Sequence, residues 1–106
     1  MPAREIAGKT VQFNDEGFMT DATKWDEEIA LAIAREEGLS ELTEAHWVAI
    51  NWMREKAQGA NWKPPSLRQI NKGAGVPTKQ LFVLFPNTPA KKAAKIAGLT
   101  KPEGCV

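Results

Sequence analysis

The chain has 106 residues, of which 42% are hydrophobic and 25% charged, and this predicts one soluble globular domain over residues 1–106. We expect no membrane span and no secretory signal, because no long apolar run exists. With one cysteine, Cys105, and one histidine, His46, an internal disulfide is excluded and a metal site is not expected. We therefore predict a reducing, cytoplasmic compartment and no cofactor.

The first third of the chain predicts a hairpin followed by a helix. Turn-forming residues 14–17 separate two short apolar segments, which favours a β-hairpin within residues 4–20. Asp21 or Thr23 can then cap a helix that continues to about Glu37. The expected core stripe of this helix consists of Trp25, Ile29 and Ile33.

The middle of the chain predicts two helices separated by a proline-rich loop. Apolar residues at helical spacing place the second helix over residues 43–58. Two consecutive prolines interrupt the helix because proline lacks a backbone donor, and Ser66 then caps a short helix that ends near Lys72. His46 lies beside a tryptophan on the second helix, and we expect it to be a packed or surface residue rather than a catalytic one.

The C-terminal third predicts two more helices and an arm. Residues 81–85 are so apolar that we expect a fully buried helix there. A last helix should begin at Pro89 and end at Gly98, which suits a left-handed C-cap. Residues 99–106 are predicted to form a flexible arm, because nothing in them is apolar enough to anchor the tip. The fold class is therefore mainly α, with about five helices and an N-terminal β-hairpin.

Charge is divided unevenly along the chain. Residues 1–62 carry six basic and twelve acidic side chains, whereas residues 63–106 carry eight basic side chains and the single acidic residue Glu103. A basic half favours an anionic partner. The alternative is that the acidic and basic faces of the folded domain only complement one another, and charge alone leaves both open.

The third and fourth helices, with a Gly-Ala-Gly turn between them, resemble a helix-turn-helix. Arg68, Lys72 and Lys79 line this pair, so a DNA-binding regulator is one hypothesis for the function. The fourth helix is mostly apolar, however, and it carries few side chains that could read bases. DNA binding is therefore our second hypothesis rather than our first.

Cys105 is the only nucleophile of note, and it is the penultimate residue on a glycine-flanked tail. A thiol in this position can enter the active site of another protein. The C-terminal carboxylate beside it disfavours the thiolate, so activation needs positive charge from a partner or from Arg68, Lys72 or Lys101. This pattern favours a carrier that is activated where it docks. The alternatives are an incidental cysteine and a thiol that only links proteins through a disulfide.

Several motifs together carry a resemblance to a known family. They are GFMTD at residues 17–21, WDEE at 25–28, LTEAHW at 42–47, LFP at 84–86, PAK at 89–91 and KIAGLTKPEGCV at 95–106. Over residues 8–106 the chain resembles the DsrC/TusE family of sulfur-carrier proteins. Members of this family are similar to the gamma subunit of dissimilatory sulfite reductase. The resemblance implies a small orthogonal helical bundle with a helix-turn-helix-like element and a mobile arm. It also implies that Cys105 carries sulfur as a persulfide.

One position departs from the family pattern. Members that serve dissimilatory sulfite reductase have a second cysteine eleven residues before the last one, and Ala94 stands there in this chain. The resemblance therefore implies a single-cysteine, TusE-like member, which cannot bridge sulfur between two thiols of one chain. It implies a sulfurtransferase or relay component rather than a stand-alone enzyme, and we expect a monomer rather than a stable oligomer. Its partners would be sulfur-donor and sulfur-acceptor proteins, and tRNA 2-thiouridine synthesis, sulfur oxidation and regulation all stay open. Arg68 is the implied partner of the arm or its sulfur, and Lys72 is a weaker candidate.

Overall fold

The chain forms an N-terminal hairpin and five α-helices in a computed structural model, which describes residues 3–6 and 8–102. The strands are β1 (Ala3–Ile6) and β2 (Lys9–Gln12). The helices are α1 (Glu27–Glu36), α2 (Glu44–Gln58), α3 (Leu67–Ala74), α4 (Thr78–Leu84) and α5 (Pro89–Ile96). The predicted fold class, mainly α with five helices and an N-terminal hairpin, is confirmed.

The core lies where α2 meets α3 and α5, with α1 packed on α5 and on β1. Large side chains from all these helices are fully buried there: Ile29, Ile50, Met53, Ile70 and Ile96, joined by Phe18, Phe85 and Leu99 from the loops. Apolar burial on this scale is the main force that stabilises a domain of this size. None of the helices in the described ranges is long and apolar enough to cross a membrane.

The hairpin lies earlier in the chain than the turn signal suggests. β1 and β2 pair in antiparallel fashion over their whole length. The predicted turn at residues 14–17 also forms. The residues on its two sides, Phe13 and Met19, pair only in an isolated antiparallel bridge. The Asn14 side-chain oxygen accepts two backbone N–H groups that follow it, at 2.9 and 3.0 Å. These bonds close the turn locally, as asparagine does in many tight turns.

Helix α1 begins later than predicted. Asp21 caps a 3-10 turn, Ala22–Lys24, instead of the helix. The backbone is extended at Trp25, and the Asp26 carboxylate then accepts the N–H of Ile29 at 2.9 Å as the true N-cap. The expectation that Asp21 or Thr23 caps this helix is therefore wrong, because Asp26 is an equally suitable cap that lies closer to the apolar stripe.

Helix α2 has the predicted bounds, and of the two expected places for His46, packed or surface, the structure shows the packed one. His46 Nδ1 accepts the backbone N–H of Thr43 at 3.0 Å, and Nε2 lies 2.8 Å from the carbonyl oxygen of Leu84. Because Nδ1 is an acceptor, Nε2 carries the proton and donates to Leu84. The imidazole also packs edge-on against Phe85, with ring centroids 5.2 Å apart. His46 thus connects the start of α2 to the end of α4.

Helix α4 buries one side only. Leu81, Leu84 and the following Phe85 lie in the core, but Phe82 is 49% exposed and Val83 is 72% exposed. The prediction that residues 81–85 are fully buried is therefore wrong for Phe82 and Val83. Successive helical residues point about 100° apart, and α4 packs against α3 and α5. These neighbours cover the side of α4 that carries Leu81 and Leu84.

The chain after α5 is anchored, so the prediction that an arm begins at residue 99 is wrong. Leu99 is fully buried, and Pro102 is buried as well. Gly98 adopts the predicted left-handed conformation, with φ of 72°, and the N–H of Leu99 donates back into α5 at 2.9 Å. This helix-ending turn directs the leucine into the core. Residues 103–106 of the predicted arm, including Cys105, lie outside the described residues.

Candidate functional site

The predicted site residues lie in two places. Arg68 and Lys72 are both exposed on α3, one turn apart. Lys101 lies after α5, and its Nζ donates to Glu16 Oε1 at 2.9 Å. Cys105 belongs to the part of the chain that is not described.

Arg54 contacts the start of the segment formed by residues 97–102, which we name the anchor segment. The guanidinium carbon lies 4.2 Å from the ring centroid of Trp25 and 5.0 Å from that of Trp62. Nη1 donates to the carbonyl of Ala97 at 2.7 Å, and Nη2 donates to the carbonyl of Ala22 at 3.0 Å. Burial lowers the pKa of Arg54, yet arginine stays charged at neutral pH. One cation therefore connects the anchor segment with two tryptophans and the N-terminal half.

Trp25 contacts the anchor segment directly. Its indole Nε1 donates to the carbonyl of Ile96 at 2.8 Å. A Cβ atom at Gly98 would overlap the indole ring, and Gly98 also has a left-handed φ that disfavours other residues. Glycine is required here for two independent reasons. The direction in which the chain leaves α5 is set by this contact.

The outer end of the anchor segment meets the turn of residues 14–17. The hydrogen bond from Lys101 lowers the pKa of Glu16, and the nearby charges of Lys91 and Lys95 lower it further. Lys95 also lies close to an acidic residue of the N-terminal half, with its Nζ 3.5 Å from Glu37 Oε2. The basic and acidic halves therefore do complement one another at this surface.

A groove opens between the end of α2 and α3, beside the proline-rich loop. Its volume is about 740 Å³, and six of the residues that line it are Trp52, Lys56, Pro64, Pro65, Gln69 and Lys72. We name it the α3 groove. A smaller cavity of about 240 Å³ shares both prolines and Gln69 with it, and also touches Thr100, Lys101 and Pro102. The groove thus adjoins the anchor segment, and Lys72 lies in it, whereas Arg68 lies outside its lining.

Sequence reasoning missed Arg54 and the α3 groove. Arg54 follows the buried Ile50 by one helical turn, and a basic residue beside an apolar stripe is the signal that could have revealed it. The groove depends on Gly73, where a Cβ atom would overlap the ring of Trp52. A glycine inside a helix often marks such a close approach. Among the residues described, no group of three His, Cys, Asp or Glu side chains could hold a metal ion.

The fold and this site define a class of small, mainly helical proteins. In this chain the last helix leads through the turn at the buried Gly98 into the anchor segment, and the sequence then continues to Cys105. The family model described as DsrC like protein matches residues 5–106, and the chain belongs to this DsrC-like family.

Individual relatives agree with this assignment. The chain is 36% identical to sulfurtransferase TusE of Pectobacterium atrosepticum, over 96% of this chain and 98% of that protein. It is 37% identical to sulfurtransferase TusE of Salmonella typhimurium, over 93% and 95%. The solution structure of Allochromatium vinosum DsrC superposes with a TM-score of 0.83 at 36% identity, over 98% of this chain and 97% of that one. The oxidized gamma-subunit of dissimilatory sulfite reductase from Archaeoglobus fulgidus gives 0.83 at 36% identity, over 99% and 100%. The family expected from the sequence motifs is thereby confirmed.

Proposed function

We propose that the protein is a sulfur carrier, in which Cys105 receives sulfur as a persulfide from one protein and passes it to another. The observation that carries the proposal is the position of the only cysteine, three residues beyond the buried Pro102, where the anchor segment ends. Similarity to sulfurtransferases over nearly the whole chain supports the same function.

The chemistry needs only thiolates and sulfane sulfur. The Cys105 thiolate attacks the outer sulfur of a donor persulfide, so that a new S–S bond forms and the donor leaves as a thiolate. In the second step an acceptor thiolate attacks the sulfur now held on Cys105, and the Cys105 thiolate leaves. Each step conserves electrons, so neither step consumes an external oxidant or reductant.

The surroundings of the anchor segment support a carrier that is activated by its partners. Lys101 already donates to Glu16, and Arg68 and Lys72 lie on α3. We propose that Arg68 and Lys72 help to stabilise the thiolate or the persulfide anion when a partner draws Cys105 towards α3. The remaining positive charge would come from the partner itself.

Some relatives have a second cysteine at the position of Ala94. The alanine at this position supports sulfur transfer that uses one cysteine only. Ala94 is fully buried on α5, and its carbonyl accepts the backbone N–H of Leu99. We propose that Cys105 acts alone, as a cytoplasmic monomer between a donor and an acceptor protein. The pathways that fit are the relay towards 2-thiouridine in tRNA and sulfur oxidation.

Mass spectrometry tests the proposal directly. Incubation with a cysteine desulfurase and cysteine should add one sulfur, about 32 Da, and thiol treatment should remove it. The adduct should be lost in Cys105→Ser and retained in His46→Gln, whose site is buried elsewhere. Absence of an adduct with any persulfide donor would contradict the proposal. A mixed disulfide without added sulfur would instead support a protein that only links thiols.

DNA binding is the second candidate, and the exposure of Arg68, Lys72 and Lys79 on α3 and α4 favours it. The exposed Phe82 and Val83 weaken it, because they occupy the face of α4 where polar base-reading side chains would be needed. A gel-shift titration at several salt concentrations tests this function. Affinity that falls steeply with salt and survives Cys105→Ser would support it.

A further inference from the structure

The α3 groove combines positive charge with an apolar surface. Lys56 contributes an ammonium group from α2, and Lys72 contributes one from α3. The apolar surface comes from Trp52 and the two prolines, Pro64 and Pro65. None of the described residues that line the groove is acidic. A ligand with carboxylates near an apolar side chain would complement this lining.

Trp52 forms part of the groove lining. The indole packs against Gly73, where a Cβ atom would overlap it, and the ammonium group of Lys56 lies 5.8 Å from the ring centroid. No residue in the described ranges accepts a hydrogen bond from Trp52 Nε1. No buried side-chain nitrogen among the described residues lacks a partner, so Trp52 Nε1 is open to solvent, and a ligand carboxylate that reached it would be a strong acceptor.

The shape and chemistry of the groove favour a peptide over a nucleic acid. A base that stacked on Trp52 would have to displace Lys56 from the ring. A volume of about 740 Å³ accommodates a few residues of an extended chain but not a duplex. The wall made by Pro64 and Pro65 offers apolar ring surface and carbonyl acceptors but no backbone N–H donor.

We propose that the α3 groove binds an acidic segment of the protein that exchanges sulfur with Cys105. The adjoining cavity reaches Thr100 and Pro102, so a segment in the groove would hold its own protein beside the anchor segment. The identity of the partner rests on the proposed function, whereas the binding of an acidic peptide does not.

A titration with a short blocked peptide of glutamate and leucine tests the groove. The indole N–H cross-peak of Trp52, assigned with Trp52→Phe, is followed in ¹H–¹⁵N spectra as the peptide is added. We expect a saturable shift of this cross-peak and little change at Trp47. The double variant Lys56→Glu/Lys72→Glu should bind about tenfold or more weakly, and added salt should weaken binding by the wild type.

A matched control separates the groove from net charge. The variant Lys24→Glu/Lys79→Glu changes the charge equally at exposed sites outside the groove, and it should bind like the wild type. Equal weakening in both double variants, or no saturable shift at Trp52, would overturn the proposal. Tighter binding of a single-stranded oligonucleotide at the same cross-peak would overturn it in favour of a nucleic acid.

The same experiment in Cys105→Ser distinguishes the two proposals. Peptide binding should persist in this variant, because the charge and the apolar surface that we propose to hold the peptide come from Lys56, Lys72 and Trp52. If the Trp52 shift is found and no persulfide forms, the sulfur-carrier function fails and the groove stands. If the persulfide forms and the shift is absent, the groove proposal fails and the carrier function stands.

Discussion

The anchor segment and helix α4 are similar in length, yet the fold holds them in opposite ways. The anchor segment is irregular, but it buries Leu99 and Pro102 and accepts a hydrogen bond from Arg54. Helix α4 is regular, but it leaves Phe82 and Val83 largely in solvent. This contrast indicates that the burial of a segment in a small domain depends on which other elements pack against it. Local regularity and local hydrophobicity are weaker guides.

The largest expected effect is the difference in the free energy of unfolding between variants on the two sides of α4. We expect Leu81→Ala to lower the free energy of unfolding by about 3 kcal/mol, because it leaves a cavity in the core. Val83→Ala should change it by less than about 0.5 kcal/mol, because the side chain is 72% exposed. Chemical denaturation of both variants measures this contrast. Similar losses in the two would mean that Val83 is covered in solution.

The second largest effect on stability should come from the contact between Arg54 and the anchor segment. Arg54→Ala removes the cation from two tryptophan rings and leaves the carbonyls of Ala97 and Ala22 without its hydrogen bonds. We expect a loss of about 2 kcal/mol in the free energy of unfolding, with a change in tryptophan fluorescence.

Arg54→Lys is the matched control for this contact. It keeps the charge but cannot reach both carbonyls with a planar fork, so it should recover only part of the loss. Full stability in Arg54→Ala would contradict the role of Arg54 in the anchor segment.

A pair of glycine substitutions isolates the contact between the anchor segment and Trp25. Gly98 and Gly38 both have left-handed backbones, with φ of 72° and 92°, but a Cβ atom overlaps a neighbour only at Gly98. We expect Gly38→Ala to cost about 1 kcal/mol from backbone strain, and Gly98→Ala to cost roughly 1 kcal/mol more. Thermal or chemical unfolding measures both. Equal costs would show that Trp25 moves aside without penalty.

The smallest effect lies at the outer end of the anchor segment. The Lys101 hydrogen bond lowers the pKa of Glu16, so the pair is intact above the ordinary carboxyl pKa and is lost as the pH falls through the lowered value. We expect Lys101→Ala to raise the pKa of Glu16 towards its ordinary value. An NMR titration of side-chain carboxyls measures this.

Asp21 is the internal control in that titration. Its pKa is lowered chiefly by the side-chain hydrogen bond from Thr23, so Lys101→Ala should leave it unchanged. If the pKa of Glu16 is the same in the variant, the contact between Lys101 and Glu16 is absent in solution.

The sequence predicts those parts of the fold that depend on local signals. The bounds of α2 follow from apolar residues at helical spacing, and the end of α5 follows from the conformational freedom of Gly98. The exposure of Val83 and the burial of Leu99 could not be predicted in this way. Both depend on which distant elements pack against the residue, and neither the spacing nor the composition of a short segment contains that information.

The residues of the proposed site also fall into those that local signals predict and those that depend on distant parts of the chain. The proposed role of Cys105 rests on its chemistry and position, and that of Arg68 rests on the family motifs, but neither signal reveals which residues fix the start of the segment that leads to the thiol. Arg54 contacts Trp62, which lies in the loop after its own helix, and Trp25, which is far from it in sequence. The α3 groove likewise depends on Gly73 in one helix and Trp52 in another.

The burial of Pro102 sets a limit on the reach of the thiol. Three residues separate Pro102 from Cys105, and an extended chain advances at most about 3.6 Å per residue. The Cα atom of Cys105 therefore cannot lie more than about 11 Å from that of Pro102. If Pro102 stays buried during transfer, a protein that exchanges sulfur with Cys105 must place its reactive centre close to the surface around Pro102.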